Sequence, residues 1–141
     1  MYRVLHRRLL GMALAVLSLS IAACSKSVPG ATDNPEEDQK YYELQEVGWL
    51  YEAGQVDRQK PPTKLKDLEP YQMGYPVGYQ ALRAGQCVVI WGVDMLNDPT
   101  PQQTVLAYRQ EAATAGGMVL LVDKSIKTMT PEQLKAALPA R

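Results

Sequence analysis

Residues 116–129 read GGMVLLVDKSIKTM, and this stretch decides the fold. The apolar run Met118–Val122 and the shorter run Ile126–Met129 are both typical of strands, and a polar Asp-Lys-Ser segment separates them. We therefore predict an antiparallel hairpin that turns at Asp123-Lys124 or Lys124-Ser125. The next residues, Thr130-Pro131-Glu132-Gln133, form a helix-start signature, which predicts a closing helix over about 131–138.

Two more strands are predicted ahead of this hairpin. Thr104–Arg109 (TVLAYR) is one of them, and it follows a turn-rich loop over 94–102. Gln86–Val93 is the other, and it is so apolar that we expect it in the centre of the sheet. Short strands joined by short turns predict an antiparallel meander.

A long helix precedes the strands. Asn34 is a good N-cap, Pro35 suits the first helical position, and acidic residues follow directly. Apolar and aromatic residues at helical spacing predict a helix to about Ala53, with Gly54 as the stop. One N-terminal helix packed on a small antiparallel sheet of three to four strands, with a short C-terminal helix, belongs to the α+β class.

The first residues carry an export signal. Arg3, Arg7 and Arg8 precede an apolar run, Leu9–Ala23, which as a helix would span about 22 Å, less than the roughly 30 Å of a bilayer core. The run ends in Ile21-Ala22-Ala23-Cys24, which resembles a bacterial lipobox, where small residues precede a cysteine that is acylated and becomes the mature N-terminus. An ordinary signal peptide with a chance cysteine is the alternative.

The lipobox resemblance implies three segments. Residues 1–23 would be the lipoprotein signal peptide, 24–34 a lipidated flexible tether, and 35–141 a single α+β domain. Acylated Cys24 would anchor the protein in the lipid bilayer. Ser25 after the cysteine favours the periplasmic face of the outer membrane of a Gram-negative-type bacterium, with the inner membrane as the alternative.

Composition excludes several kinds of chemistry. The only histidine, His6, lies in the signal, so the mature chain lacks histidine-based acid–base catalysis, Ser-His-Asp triads and histidine-ligated zinc. Without Arg3, Arg7 and Arg8 the net charge is near −3, and no basic stripe indicates a nucleic-acid partner. Cys87 is expected to be a buried thiol without a disulfide partner. We expect neither enzymatic activity nor a cofactor.

The C-terminal half resembles a known family. The segment Tyr108–Leu138, with GGMVLLVDKSIKTMTPEQL at its core, is similar to the C-terminal hairpin of type II secretion pseudopilin-like proteins of planctomycete-type bacteria. Leu106-Ala107-Tyr108 and the stretch from Pro62 to Leu68 fit the same pattern, so the likeness covers about residues 40–138. Lys124 replaces the tight-turn glycine of that family, which predicts a different or looser connection. The hydrophobic half of the pilin helix is also absent, so the protein is not expected to form filaments.

Three groups of side chains are candidate sites. The resemblance implies that a loop could bind calcium through Asp94, Asn97 and Asp98, with Asp123 nearby, although acidic residues in turns commonly serve only the turn. Residues 70–80, PYQMGYPVGYQ, are predicted to be an ordered loop, in which Tyr71, Tyr75 and Tyr79 form a binding rim or cover a core edge. A carboxylate hydrolase would need two acids, and the helix carries Glu43, Glu46 and Glu52.

These observations predict a non-enzymatic, membrane-anchored lipoprotein. It would present a pseudopilin-like head for contact with other cell-envelope or secretion proteins. The alternative is an envelope lipoprotein that binds a small ligand or calcium.

Overall fold

The computed structural model describes residues 34–139. In chain order this part contains α1 (Pro35–Arg58), a 3-10 helix (Leu65–Tyr71), α2 (Pro76–Arg83), β1 (Cys87–Val89), β2 (Val105–Arg109), a second 3-10 helix (Gln110–Ala113), β3 (Gly117–Leu121), β4 (Ile126–Met129) and α3 (Pro131–Ala137). The four strands form one antiparallel sheet in the order β1-β2-β3-β4. The predicted α+β class and the predicted meander are therefore confirmed.

The first predicted strand is wrong in both length and position. Only Cys87–Val89 is a strand, and it lies at the edge of the sheet rather than at its centre. The chain leaves the sheet at Trp91-Gly92, where Gly92 takes a positive φ of 84° and donates its N–H to the carbonyl of Pro62. The segment is apolar because Cys87 and Val89 join the core beneath the helices while Ile90 packs on the opposite side.

Helix α1 begins as predicted and runs longer than predicted. The Asn34 side chain accepts the N–H of Glu36, and Pro35 occupies the first helical position. The helix continues past Gly54 to Arg58 and ends at Gln59, whose φ is 54°. Gly54 does not end the helix. It allows Leu68 to pack closely, because a Cβ at this position would lie 2.8 Å from Leu68 Cδ2.

Residues 76–80 belong to a helix, although the sequence predicts a loop over residues 70–80. Pro76 takes the first helical position of α2, and Gly78 lies inside it. A Cβ on Gly78 would lie 2.7 Å from the backbone nitrogen of Val47 on α1. Gly78, which indicates a loop in the sequence, thus allows α1 and α2 to cross at close distance.

Helix α1 packs against the sheet on one face and against the first 3-10 helix and α2 on another. Toward the sheet it buries Leu44, Val47 and Tyr51 against residues such as Leu106 and Leu120. Toward the 3-10 helix and α2 it buries Leu50 against Leu68 and Tyr79. The opposite face of the sheet is covered by α3 and the second 3-10 helix, with Val105, Ala112, Val119, Leu121 and Leu134 as its buried residues. Burial of α1 on two sides fixes its position against the sheet.

The hairpin predicted over residues 118–129 forms, and β3 begins and ends one residue earlier than predicted. Strand β4 has its predicted bounds, and Thr130 and Gln133 make the reciprocal bonds of a capping box. Lys124, however, adopts the positive φ, 68°, that a glycine would favour, so the expectation that it avoids this conformation is wrong. Its ammonium group lies 2.8 Å from a carboxylate oxygen of Glu52 on α1, and this ion pair holds the turn against the helix.

Candidate functional site

The predicted lipidation site lies outside the described residues. Ile21, Ala22, Ala23 and Cys24 all precede Asn34, the first residue that the structure describes. Among residues 34–139, no helix has both the length and the apolar character needed to span a bilayer.

The Asp94 side chain organises the loop after β1. Its Oδ1 accepts the N–H groups of Leu96 and Asn97, at 3.2 and 3.3 Å, and the side-chain amide of Gln55. Its Oδ2 accepts the side-chain amide of Asn97 at 3.0 Å. The Asn97 bond, helped by the other donors, holds the pKa of Asp94 below its ordinary value. Asp94 therefore serves the loop with both oxygens and keeps its negative charge.

A second turn follows at Asp98. Its Oδ1 accepts the N–H of Thr100 at 2.7 Å and the hydroxyl of Thr104 at 3.1 Å. Asp123 makes a similar turn between β3 and β4, accepting the N–H of Ser125 at 2.9 Å and its hydroxyl at 2.6 Å. Within residues 34–139 no three acidic, histidine or cysteine side chains come together in a way that could hold a metal ion. The four calcium candidates thus form three separate turns in the described part of the chain.

The tyrosines of residues 70–80 have different environments. Tyr79 is buried against Leu50 and Leu68, so it belongs to the core. Tyr71 and Tyr75 are half-buried at the rim of the same cluster, and the hydroxyl of Tyr71 donates to Asp57 at 2.5 Å. The described contacts of these rings match the covering of a core edge.

Each of the three candidate carboxylates on α1 is engaged with another element. Glu43 pairs with Arg109 of β2, and Glu52 pairs with Lys124. Glu46 is 4% exposed and accepts the N–H of Gly78 at 2.8 Å. That N–H lies in the first turn of α2, where no intrahelical acceptor exists, so Glu46 caps α2 from a neighbouring helix. The sequence did not reveal this role, because the two residues are 32 positions apart.

A buried polar cluster lies where α1 meets β1 and β2. The guanidinium group of Arg109 contacts the Glu43 carboxylate and lies 3.8 Å from the Cys87 sulfur. Burial raises the pKa of the Cys87 thiol to about 11, and the Arg109 charge only partly opposes this. A thiol with such a pKa is a poor nucleophile at neutral pH. Cys87 is buried, as the sequence predicts.

One pocket among the described residues was not predicted from the sequence. A pocket of about 420 Å³ opens between the loop after β1 and the C-terminal end of α3. Three candidate calcium ligands, Asp94, Asn97 and Asp98, line it, but Asp123 does not. Its opposite wall includes Ile90, which comes from the wrongly predicted part of the first strand. The pocket combines segments far apart in the chain, so no local pattern could have revealed it.

Comparison of the chain with protein-family models, with curated proteins and with solved structures finds no match.

Proposed function

We propose that this protein is a membrane-anchored lipoprotein that acts by contact rather than by catalysis. It is held on the periplasmic face of the outer membrane through acylated Cys24 and presents its α+β head to other proteins of the cell envelope. One observation carries the proposal: a basic segment, an apolar run of 15 residues, Ile-Ala-Ala-Cys and a polar segment stand in that order directly ahead of the folded domain.

The dimensions suit such an arrangement. The ten peptide units from Cys24 to Asn34 reach at most about 36 Å when fully extended. Helix α1, which begins next to this segment, has 24 residues and is about 36 Å long. The C-terminal end of α1, at Arg58, can therefore lie well away from the lipid surface and contact partners there.

The interactions of the candidate carboxylates support a role in protein contact rather than in hydrolysis. Glycosidases need one carboxylate that is free to transfer a proton and another that faces the substrate. Here Glu43 and Glu52 are held in ion pairs, and Glu46 caps a helix. None of the described pockets is lined by two of these three side chains.

The partner class comes from the resemblance to pseudopilin heads. A long helix across a four-stranded antiparallel meander agrees with what that resemblance implies. We propose that the head contacts secretion or pilus-assembly proteins and that its lipid anchor replaces the filament-forming helix of pilins.

Metabolic labelling with a palmitate analogue tests the anchor. The unaltered chain and a Cys87→Ala variant should both incorporate label and fractionate with membranes, because Cys87 is buried and far from the signal. A Cys24→Ala variant should incorporate no label and should keep its unprocessed size. Normal processing and labelling of Cys24→Ala would refute the lipoprotein proposal.

In-cell crosslinking followed by mass spectrometry tests the partner. Secretion or pilus-assembly proteins should be recovered with the anchored chain and reduced with Cys24→Ala. Recovery of none of these proteins from correctly lipidated chain would refute the partner class while leaving the anchor intact.

A further inference from the structure

The pocket after β1 is lined by two chemically different groups of side chains. Six are polar, and we call them the polar wall: Asp94, Asn97, Asp98, Thr100, Gln103 and Thr104. The apolar lining residues include Ile90, Val93 and Val105, together with Ala137 and Pro139 from the end of α3. Its volume of about 420 Å³ falls within the range of roughly 300–1,000 Å³ typical of small-molecule sites.

A second pocket adjoins the first, with which it shares Ile90 and Pro139. It has a volume of about 240 Å³, and Trp91, Tyr108 and Leu138 are among its lining residues. We call the two adjoining pockets together the loop–sheet groove, with the first pocket as its polar end and the second as its aromatic end.

Trp91 is 38% exposed and packs against a buried aromatic ring. Its indole stacks on the Tyr51 ring, with 6.4 Å between ring centroids and 30° between ring planes. Tyr51 is fully buried, and its hydroxyl donates to the backbone carbonyls of Val93 and Pro62 at 3.1 and 3.2 Å. An exposed aromatic ring mounted in this way offers binding surface at little cost in conformational entropy.

The polar wall keeps spare hydrogen-bonding capacity. Asp98 uses Oδ1 in its turn, and within the described residues no contact engages its Oδ2. The side-chain amide of Gln103, which offers both a donor and an acceptor, likewise has no partner in that part of the chain. Among residues 34–139 no lysine or arginine lines either pocket, whereas Asp94 and Asp98 line the larger of the two. The wall therefore favours a ligand with several hydroxyl or amide groups and disfavours an anion.

We propose that the loop–sheet groove binds a short uncharged glycan. Sugar hydroxyls would bond to Asp98 and Gln103, and an apolar ring face would lie against the aromatic end near Trp91. An apolar peptide side chain would leave Asp98 and Gln103 unpaired in the complex, which makes it the poorer occupant. This inference is independent of the partner proposed above, because it concerns only the groove.

Titration calorimetry on the full chain in mild detergent tests the proposal. The probes are the N-acetylglucosamine tetramer, which is uncharged, and a galacturonic acid tetramer, which is anionic. We expect saturable binding of the uncharged tetramer and at least tenfold weaker binding of the acidic one. Gln103→Ala and Asp98→Asn should each weaken binding of the uncharged tetramer about tenfold. The matched control is Gln102→Ala, a change at an exposed neighbour that does not line the groove, and it should bind like the unaltered chain.

Three results would overturn the proposal. They are absence of binding at millimolar tetramer, equal binding of both tetramers, and binding that Gln103→Ala and Asp98→Asn leave unchanged. Circular dichroism of each variant guards against misfolding, and both substituted side chains lie on the surface loop rather than in a core cluster.

Discussion

Gly78→Ala tests the crossing of α1 and α2. The added Cβ would lie 2.7 Å from the Val47 nitrogen and 2.8 Å from both the carbonyl carbon and the Cβ of Glu46. Two of these three atoms belong to backbone in the middle of α1, so no rotamer change can remove the clash. The two helices must move apart, and that movement also stretches the 2.8 Å bond from the Gly78 N–H to the buried Glu46 carboxylate.

The magnitude follows from three effects. Overpacking in a tight core costs about 1–3 kcal/mol. Weakening a buried hydrogen bond to a charged acceptor costs about 1.5–3 kcal/mol. The gain in helix propensity from glycine to alanine returns at most about 1 kcal/mol. We therefore expect Gly78→Ala to lower the free energy of unfolding by about 2–4 kcal/mol.

Urea unfolding followed by circular dichroism measures this change. A loss of about 3 kcal/mol lowers the midpoint by roughly 1–3 M for the usual range of urea slopes. The matched control is Gly48→Ala in α1, where the new Cβ meets the movable Leu120 Cδ2 at 3.2 Å. Because Leu120 can shift and alanine favours the helix, this variant should stay within about 1 kcal/mol of the unaltered chain. If Gly78→Ala unfolds at the same urea concentration as Gly48→Ala, the proposed helix contact is wrong.

Three further predictions concern single side chains. Tyr51→Phe should lower the free energy of unfolding by about 1–3 kcal/mol in urea, because two backbone carbonyls lose the hydroxyl donor; an unchanged midpoint would contradict this. Lys124→Gly should be about 1 kcal/mol more stable than Lys124→Ala. Both variants lose the half-exposed ion pair with Glu52, but only glycine adopts the positive φ at this position without strain. Equal urea midpoints for the two variants would show that the position is not strained. The N–H of Thr63, with help from Arg58, holds the pKa of Asp67 well below its ordinary 3.8, so its stabilising effect is present above about pH 4 and is lost as the pH falls further. In Asp67→Asn the free energy of unfolding should therefore fall less steeply below pH 4 than in the unaltered chain. An equally steep fall would show that Asp67 does not contribute to the loss of stability in acid.

The local parts of the fold were predictable from the sequence. Asn34-Pro35 and Thr130-Pro131 begin helices in the structure, because a cap is satisfied by residues two or three positions away. Strand β4 has its predicted bounds for a similar reason, since the turn before it is short. The candidate site was predictable only in part: Asp94, Asn97 and Asp98 do line the pocket, and each makes hydrogen bonds within its turn.

Other features were decided only by the tertiary structure, because they depend on contacts between residues that are distant in the chain. Gly54 and Gly78 indicate breaks in the sequence, yet they lie inside helices because each allows another element to approach within a distance that a Cβ would block. Lys124 adopts a positive φ, and its side chain forms an ion pair with Glu52, which lies 72 positions earlier in the chain. The loop–sheet groove joins residues 90–105 to the end of α3. Local hydrogen bonds are encoded in short patterns, whereas close packing depends on which surfaces meet, and that is settled only when the whole chain is folded.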